Sequence, residues 1–561
     1  MWRGRYLGRC LAVTLVLSAG APASVAQVEN VPVANQVYDF LDRLGVRGVL
    51  PLYSNRVLPL SREEVCALLS QAASRSHEMT EAELRWLAKF QREFEPDAQR
   101  AAEESYRVFG AHEDAGAFFS GAVSDREKYL FAIADSSVTV FGEFLASLDY
   151  RHISGDTRGS TDATLGTIGG RFRGTALGTL GYYLQATNGE LWGDRSFAMA
   201  DKKLAANFKF SEEGKPYFDF TEAYLRLRLS WFHVKFGREA VRVGLGYGDR
   251  LILGESAPVM DLLELGARYG SFRFTFLHGV LRPDSVTLSG IPDQAPEDAT
   301  KYFVLHRFQF SLFDVMNLGL GEMVIYQRLT PEYAYLNPVN FYKSAEHSLG
   351  DKDNALLVLD AEVFPLAGYK LYGTWLIDDI DFAKMGTGWW ANQFGWNAGM
   401  VAAGVAGIAD VDLVAEYARL EPYLYSNRLA DNDYTHNSVS LGHRLDPNSD
   451  EMLLELRYRP TERLRCSVGY LHQRHGANVV EGDSVLRNVG GSALQGHRDT
   501  DAQHVTFLDG VRQTANRYQA RADYEPVTNL ILSVAAEYRR TWNGSVAADD
   551  RLLQLSVHLE Y

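Results

Sequence analysis

From Ser137 to the C-terminus, apolar residues recur at every second position. Val138, Val140, Phe144, Ala146, Leu148 and Tyr150 stand on one face, with Thr139, Glu143, Ser147 and Asp149 on the other. Leu464, Cys466, Val468 and Tyr470 oppose Arg463, Arg465 and Ser467, and Tyr518, Ala520, Ala522 and Tyr524 oppose Arg517, Gln519, Arg521 and Asp523. The last segment, Leu553 to Tyr561, alternates throughout and stops on an aromatic. Period two predicts half-buried strands. A soluble sandwich alternates as well, but has no need of an aromatic final residue. In lipid every backbone polar group requires an internal partner, so membrane-facing strands must close on themselves. The fold class predicted for 137–561 is therefore an all-β transmembrane barrel of about 18 antiparallel strands, in the range of bacterial barrels.

The connections support this count. If Tyr561 lies on the periplasmic side, the tight turns at Glu525–Asn529, Pro460–Arg463, Pro365–Gly368 and Tyr269–Ser271 all fall there. The long stretches Arg238–Asp261, Leu281–Lys301, Arg328–Asn354, Arg419–Glu451 and His472–Asn516 fall outside, which is the usual asymmetry of such barrels. Thr187–Lys202 is the exception, long where the count expects a short turn.

Upstream the period is helical. Val37, Phe40, Leu41 and Leu44 lie on one helix face, and Ser61-Arg-Glu-Glu64 and Thr80-Glu-Ala-Glu83 are capping boxes that open two further helices. Residues 27–109 are thus expected to form a small helical domain that plugs the barrel or caps its periplasmic mouth. Residues 110–136 show no clear period and are expected to be a linker. Arg3, Arg5 and Arg9, then apolar Leu11–Leu17 and small residues to Ala26, predict a signal peptide over 1–26.

Composition narrows the function. The chain carries 56 Lys+Arg against 71 Asp+Glu, net −15, and −18 once the three signal arginines are removed, which argues against nucleic acid as a partner. Cys66 and Cys466 are too few and too distant for a disulfide framework or a zinc site. No cofactor is expected.

The long connections hold the candidate chemistry. Gly237–Pro258 combines spaced glycines with Arg238, Arg242 and Arg250, whose guanidinium forks suit carboxylates or phosphates. The bland alternative has these arginines in the lumen, paired with Glu239, Asp249 or Glu255. A nucleotide cradle is excluded by the missing Lys-Ser/Thr ending. Tyr333, Tyr335, Asn337 and Asn340 in one connection, and Tyr423, Tyr425 and Asn432 in another, mix aromatic faces with planar amides, the surface that a sugar chain needs. With Arg238 and Arg242 they form the expected polysaccharide-binding set. Asp351, Asp353 and Asn354, or Asp431 and Asp433, offer oxygens to calcium but lack the glycine and distal glutamate of a complete loop. Glu346, His347 and His436 could act as acid and base, but no nucleophile motif accompanies them. No metal site and no enzymatic activity are expected.

At these loops the chain resembles the capsule assembly Wzi family. Gly237-Arg-Glu through Ala257-Pro258, Tyr335–Asn340, Glu346-His347, Gly350–Asn354, Tyr434–His436 and Leu441–Asp450 carry the resemblance. It implies an eighteen-stranded outer-membrane barrel closed by an N-terminal helical bundle and acting as a surface lectin for capsular polysaccharide; a monomer in contact with outer-membrane lipid is expected. The alternative is an outer-membrane porin. Val37–Leu41 with Leu58–Val65 also resembles a single S-layer-homology helix pair, which would tether such a porin to a cell-wall glycan.

Overall fold

The computed structural model describes residues 27–110, 114–201, 204, 208–209, 217–283, 299–429, 432–482, 484–544 and 546–561. The expected signal peptide and Asp431 lie outside them. Among the described residues, eighteen long strands form one closed antiparallel barrel. The first nine are β1 (Thr139–Gly155), β2 (Gly159–Ala176), β3 (Leu180–Gly193), β4 (Tyr217–Leu229), β5 (Phe232–Glu239), β6 (Met260–Tyr269), β7 (Phe272–Leu281), β8 (Thr300–Leu312) and β9 (Met316–Arg328). The rest are β10 (Asn354–Leu366), β11 (Tyr369–Asp379), β12 (Gln393–Ala403), β13 (Val411–Leu420), β14 (Ser449–Thr461), β15 (Leu464–Ala477), β16 (Val511–Val527), β17 (Leu530–Asn543) and β18 (Val546–Glu560). Pairing of β18 with β1, from Asp550↔Gly155 to Glu560↔Leu145, closes the ring and leaves no free edge.

The connections alternate as expected. Turns on the Tyr561 side, such as 177–179, 230–231, 270–271, 462–463 and 528–529, are short. The long ones, 240–259, 282–299, 329–353, 380–392, 421–448 and 478–510, share the other side. The exception at Thr187–Lys202 disappears, because β3 continues to Gly193 and the connection 194–216 leaves from the long-loop side. Outward residues including Leu148, Ile168, Leu225, Phe236, Leu320, Leu359, Val468, Val534 and Leu555 are exposed and form the apolar band that a bilayer covers.

The helical domain comprises α1 (Val37–Val46), α2 (Arg62–Ser74), α3 (Glu81–Glu93) and α4 (Ala98–Glu104). Both predicted capping boxes are present, at Ser61 with Glu64 and at Thr80 with Glu83. Phe40, Leu41, Leu44, Val65, Leu69, Trp86, Leu87 and Phe90 make a shared core. The domain seals the periplasmic mouth: Arg43 of α1 contacts Asp412 of β13, Lys89 of α3 contacts Glu525 of β16, and Gly368 in the β10–β11 turn donates to the Val46 carbonyl at 2.8 Å. The 110–136 stretch, expected to be a linker, contains α5 (Ala115–Ala122) and a short strand, Phe131–Ala134, that pairs with the start of β1. Elements this short leave no readable period.

The lumen is filled from both ends. Residues 54–58 rise from the helical domain along the inner wall, where Arg56, 1% exposed, lies 3.1 Å from Asp360 and Ser54 donates to Glu362 at 2.7 Å. From the outer side, 240–259 folds inward and pairs with the same segment, Val57↔Val243 and Leu58↔Arg242. Val243, Leu251, Ile252 and Leu253 then pack with Leu424, Tyr425, Tyr434 and Leu441 against the inward residues Leu277, Leu305, Met323, Leu356 and Leu376. Toward the outer side, the inner face of β7–β11 is therefore a hydrophobic core and departs from the water-facing lumen that alternation predicts, while Arg307, Asp360 and Glu362 keep a charged cluster nearer the helical domain.

Candidate polysaccharide-binding surface

The outer side carries 329–353, 380–392, 421–448 and 478–510, which leave from the long-loop ends of the strands. The first of these contains two short helices, α7 (Tyr333–Leu336) and α8 (Tyr342–Leu349), after the turn α6 (Arg195–Ala198) near the β3 exit.

The expected site residues divide. Tyr335, Tyr423 and Tyr425 are fully buried, and each hydroxyl donates to protein: to Asp353 at 2.8 Å, to the Asn488 carbonyl at 3.2 Å and to the Leu251 carbonyl at 2.7 Å. Tyr425 also stacks on Tyr434, with centroids 5.2 Å apart. Asn432 is buried and donates to the Lys352 carbonyl at 2.7 Å, and Asn340 donates to the Ala334 carbonyl at 2.9 Å. Tyr423, Tyr425 and Asn432 thus hold loops to one another, Tyr335 and Asn340 brace their own connection, and the buried tyrosines do not present open faces. Tyr333, 86% exposed, and Asn337 remain accessible.

The arginines also separate. Arg242 is held by the Val33 carbonyl at 3.0 Å and by Glu255 at 2.6 Å, the lumen pairing set out above as the bland alternative. Arg250 donates to the Asn55 carbonyl at 2.8 Å. Arg238, by contrast, lies on the outward face of β5, where it forms a forked pair with Asp261 at 2.6 and 2.9 Å. The even-odd alternation of β5 puts Lys235 and Glu239 inside and Arg238 outside.

The acid-rich pieces are mostly taken up by protein. Asp353 is bound by Arg328 and Tyr335, and Asp433 by Lys301 at 2.6 Å. The ligand atoms of Glu346, His347 and Asp351 lie within 4.8 Å of one another, while Glu346 is already paired with Lys343 at 2.8 Å. Burial, with Arg282 and Lys301 nearby, pushes the His436 imidazole down to about 4, and burial pushes that of His443 down to about 3. Both are neutral at ordinary pH and poorly suited to accept a proton there.

Sequence reading passed over an aromatic pair. In 380–392, Trp390 stacks on His497, with centroids 3.9 Å apart, and its indole donates to Gln503 at 3.1 Å. Trp389 meets His504 edge-on and carries Lys384 over its ring at 3.5 Å. Backbone bonds from Trp390 to Gln503 (3.1 Å) and from Val505 to Gly388 (2.7 Å) stitch the two loops together. Phe382 of the same loop is 71% exposed, and Gln503, His504 and Arg428 are exposed as well. The readable signal was the adjacent tryptophans after Gly386 and Gly388, which interrupt the alternation between two strands.

No curated protein matches the sequence significantly. The solved structure of Wzi from Escherichia coli, described as an outer-membrane protein involved in group 1 capsule assembly and a carbohydrate-binding β-barrel, is similar with a TM-score of 0.57 and 13% identity. The match covers 94% of this chain and 99% of that one. OccK5 (OpdH) of Pseudomonas aeruginosa shows a looser likeness, TM-score 0.42 and 10% identity, over 75% of this chain and 98% of its own. The family profile described as Capsule assembly protein Wzi matches residues 164–552. That match spans well over half the chain and includes most of the barrel and every outer loop described above, and the chain belongs to the capsule assembly Wzi family of outer-membrane β-barrels.

Proposed function

We propose that this protein is a monomeric lectin that holds capsular or related surface polysaccharide at the outer mouth of the barrel, and that it performs no chemistry on it. The observation that carries this reading is the stitched rim of Trp389, Trp390, Gln503 and His504, which sets two half-buried indole rings beside amide, imidazole and ammonium groups. Sugar C–H faces stack on such rings while hydroxyls find paired donors and acceptors. The Wzi structure from Escherichia coli, described as a carbohydrate-binding barrel, supports the same reading. Of the residues expected from sequence, the buried Tyr423 and Tyr425 act by shaping the rim, while Tyr333 and Asn337 belong to 329–353 and lie outside it.

The test is binding of the purified protein to surface polysaccharide from its own organism, followed by sizing of the glycan. Saturable binding with the glycan intact is expected. Trp389→Ala or Trp390→Ala should weaken it by about 1–3 kcal/mol, taking base stacking as the nearest calibrated case. Shortened glycan would indicate a hydrolase, and no binding would remove the lectin reading.

A further inference from the structure

The 329–353 connection does not turn into the lumen. Tyr335 of α7 and Tyr342 and Ala345 of α8 pack against Phe276, Tyr302, Val304, Val324 and Tyr326. The register pairs Tyr302↔Tyr326 and Val304↔Val324, opposite in face to the lumen residues Leu305 and Met323. The flap therefore lies on the outside of the barrel wall. One pair closer to the periplasm, His306↔Glu322 also faces outward, 3.0 Å apart and almost fully buried. The Tyr342 amide donates to Glu322 at 2.9 Å, and the Tyr342 ring stacks on His306 with centroids 4.3 Å apart. The next outward pairs, Phe308↔Leu320 and Phe310↔Leu318, already belong to the bare apolar band, with Leu320 and Phe310 each 42% exposed.

An ionisable pair on the lipid side of the wall, adjoining the apolar band, is costly unless something covers it. The flap is that cover, so the flap itself sits against lipid. Its exposed residues agree: Leu329, Tyr333, Val339 and Phe341 are 60–86% exposed, a patch that calls for an apolar partner. Immediately below, the same wall carries a shallow groove of about 500 Å³ lined by Phe310, Leu320, Leu359, Ala361, Gly373 and Trp375, continuous with the band.

We propose that the 329–349 flap is immersed in the outer leaflet and that, with the groove beneath it, it forms a binding site for an acyl chain of an outer-leaflet lipid. The site is distinct from the tryptophan rim and does not depend on the lectin reading.

The test uses the full chain, free of other cysteines, in phosphatidylcholine vesicles, with spin labels placed singly through Val339→Cys and Phe341→Cys. Leu320→Cys is the lipid-facing reference and Phe382→Cys the aqueous one. Labels at Val339 and Phe341 should collide several-fold more with oxygen than with a water-soluble nickel chelate, as at Leu320. Collision ratios like that of Phe382 would overturn the proposal, as would added surface polysaccharide that shields these labels from the chelate. Native mass spectra of the unlabelled protein should show retained lipid, reduced at least several-fold in Ala361→Trp. Equal retention by a variant that keeps heat-modifiable migration would overturn the acyl-chain site.

Discussion

Arg459, near the periplasmic end of β14, donates from Nη2 to both carboxylate oxygens of Asp39 in α1, at 2.7 and 2.8 Å, while its Nη1 holds Asp412 at 2.6 Å. One guanidinium thus clamps the helical domain to two barrel strands. Replacing Asp39 by Asn removes the charge from a partner that keeps about a third of its side-chain exposure, so the cost is discounted from the buried-pair range to about 1–3 kcal/mol. Limited proteolysis should release residues of the helical domain faster, with heat-modifiable migration of the barrel unchanged.

The same seam has a pH dependence. Burial, with Glu93 and Glu525 alongside, pushes the Glu127 carboxyl well above the usual carboxylate range, and burial also raises Glu93. Raised carboxyls favour the neutral form in the docked state. Their stabilisation is complete below the ordinary glutamate value of about 4.3 and is lost as pH rises through the raised values. Protease release of the helical domain should quicken as pH rises toward about 8, the raised value of Glu127, and level off above it, and Glu127→Gln should flatten the curve. A rate that falls with pH would contradict the assignment.

Conductance separates a plugged barrel from an open porin. With Arg56 buried against Asp360, and 240–259 folded onto it, the intact protein should conduct poorly in a planar bilayer. Removal of 27–109 should raise conductance, though not to that of an empty barrel, because 240–259 stays in the lumen. A large, stable conductance from the intact chain would favour the porin.

Gly319 marks how tightly the inner wall is packed. A Cβ there would lie 2.2 Å from an Arg307 guanidinium nitrogen and 2.6 Å from both Asp360 carboxylate oxygens, which are themselves fully buried. Gly319→Leu should destabilise by about 1–3 kcal/mol through overpacking, read as a lower temperature for the shift in gel migration. Gly178, at an open turn with nothing within 4 Å, is the control if its positive φ is kept by substituting Asn.

The barrel was legible where each strand has one face toward lipid and one toward water, as in β14 to β18. It was least legible at Tyr302–Leu305 and Met323–Tyr326, where four apolar residues run together. The structure explains these runs: the inner face is covered by 240–259 and 421–448 and the outer by the flap, so both faces are buried and alternation is lost. The capping boxes reported helices directly, because Ser61 and Thr80 satisfy backbone amides within their own turn. The site was less readable. A tyrosine in a loop suits a sugar face or a loop-to-loop bond equally well, and only its neighbours decide; Tyr425 found the Leu251 carbonyl, a partner 174 residues away.

The strand-like pairing of Val57 with Val243, reinforced by the Gly244 amide on the Arg56 carbonyl at 2.9 Å, joins a segment that enters from the periplasm to one that enters from outside. Mechanically this is a strut through the centre of the barrel. Under the proposed lectin reading, tension on a polymer held at the outer rim would pass along it to the helical domain and sideways, through Arg56 and Asp360, into the wall. A load that would peel a lone loop is distributed over the whole ring of strands.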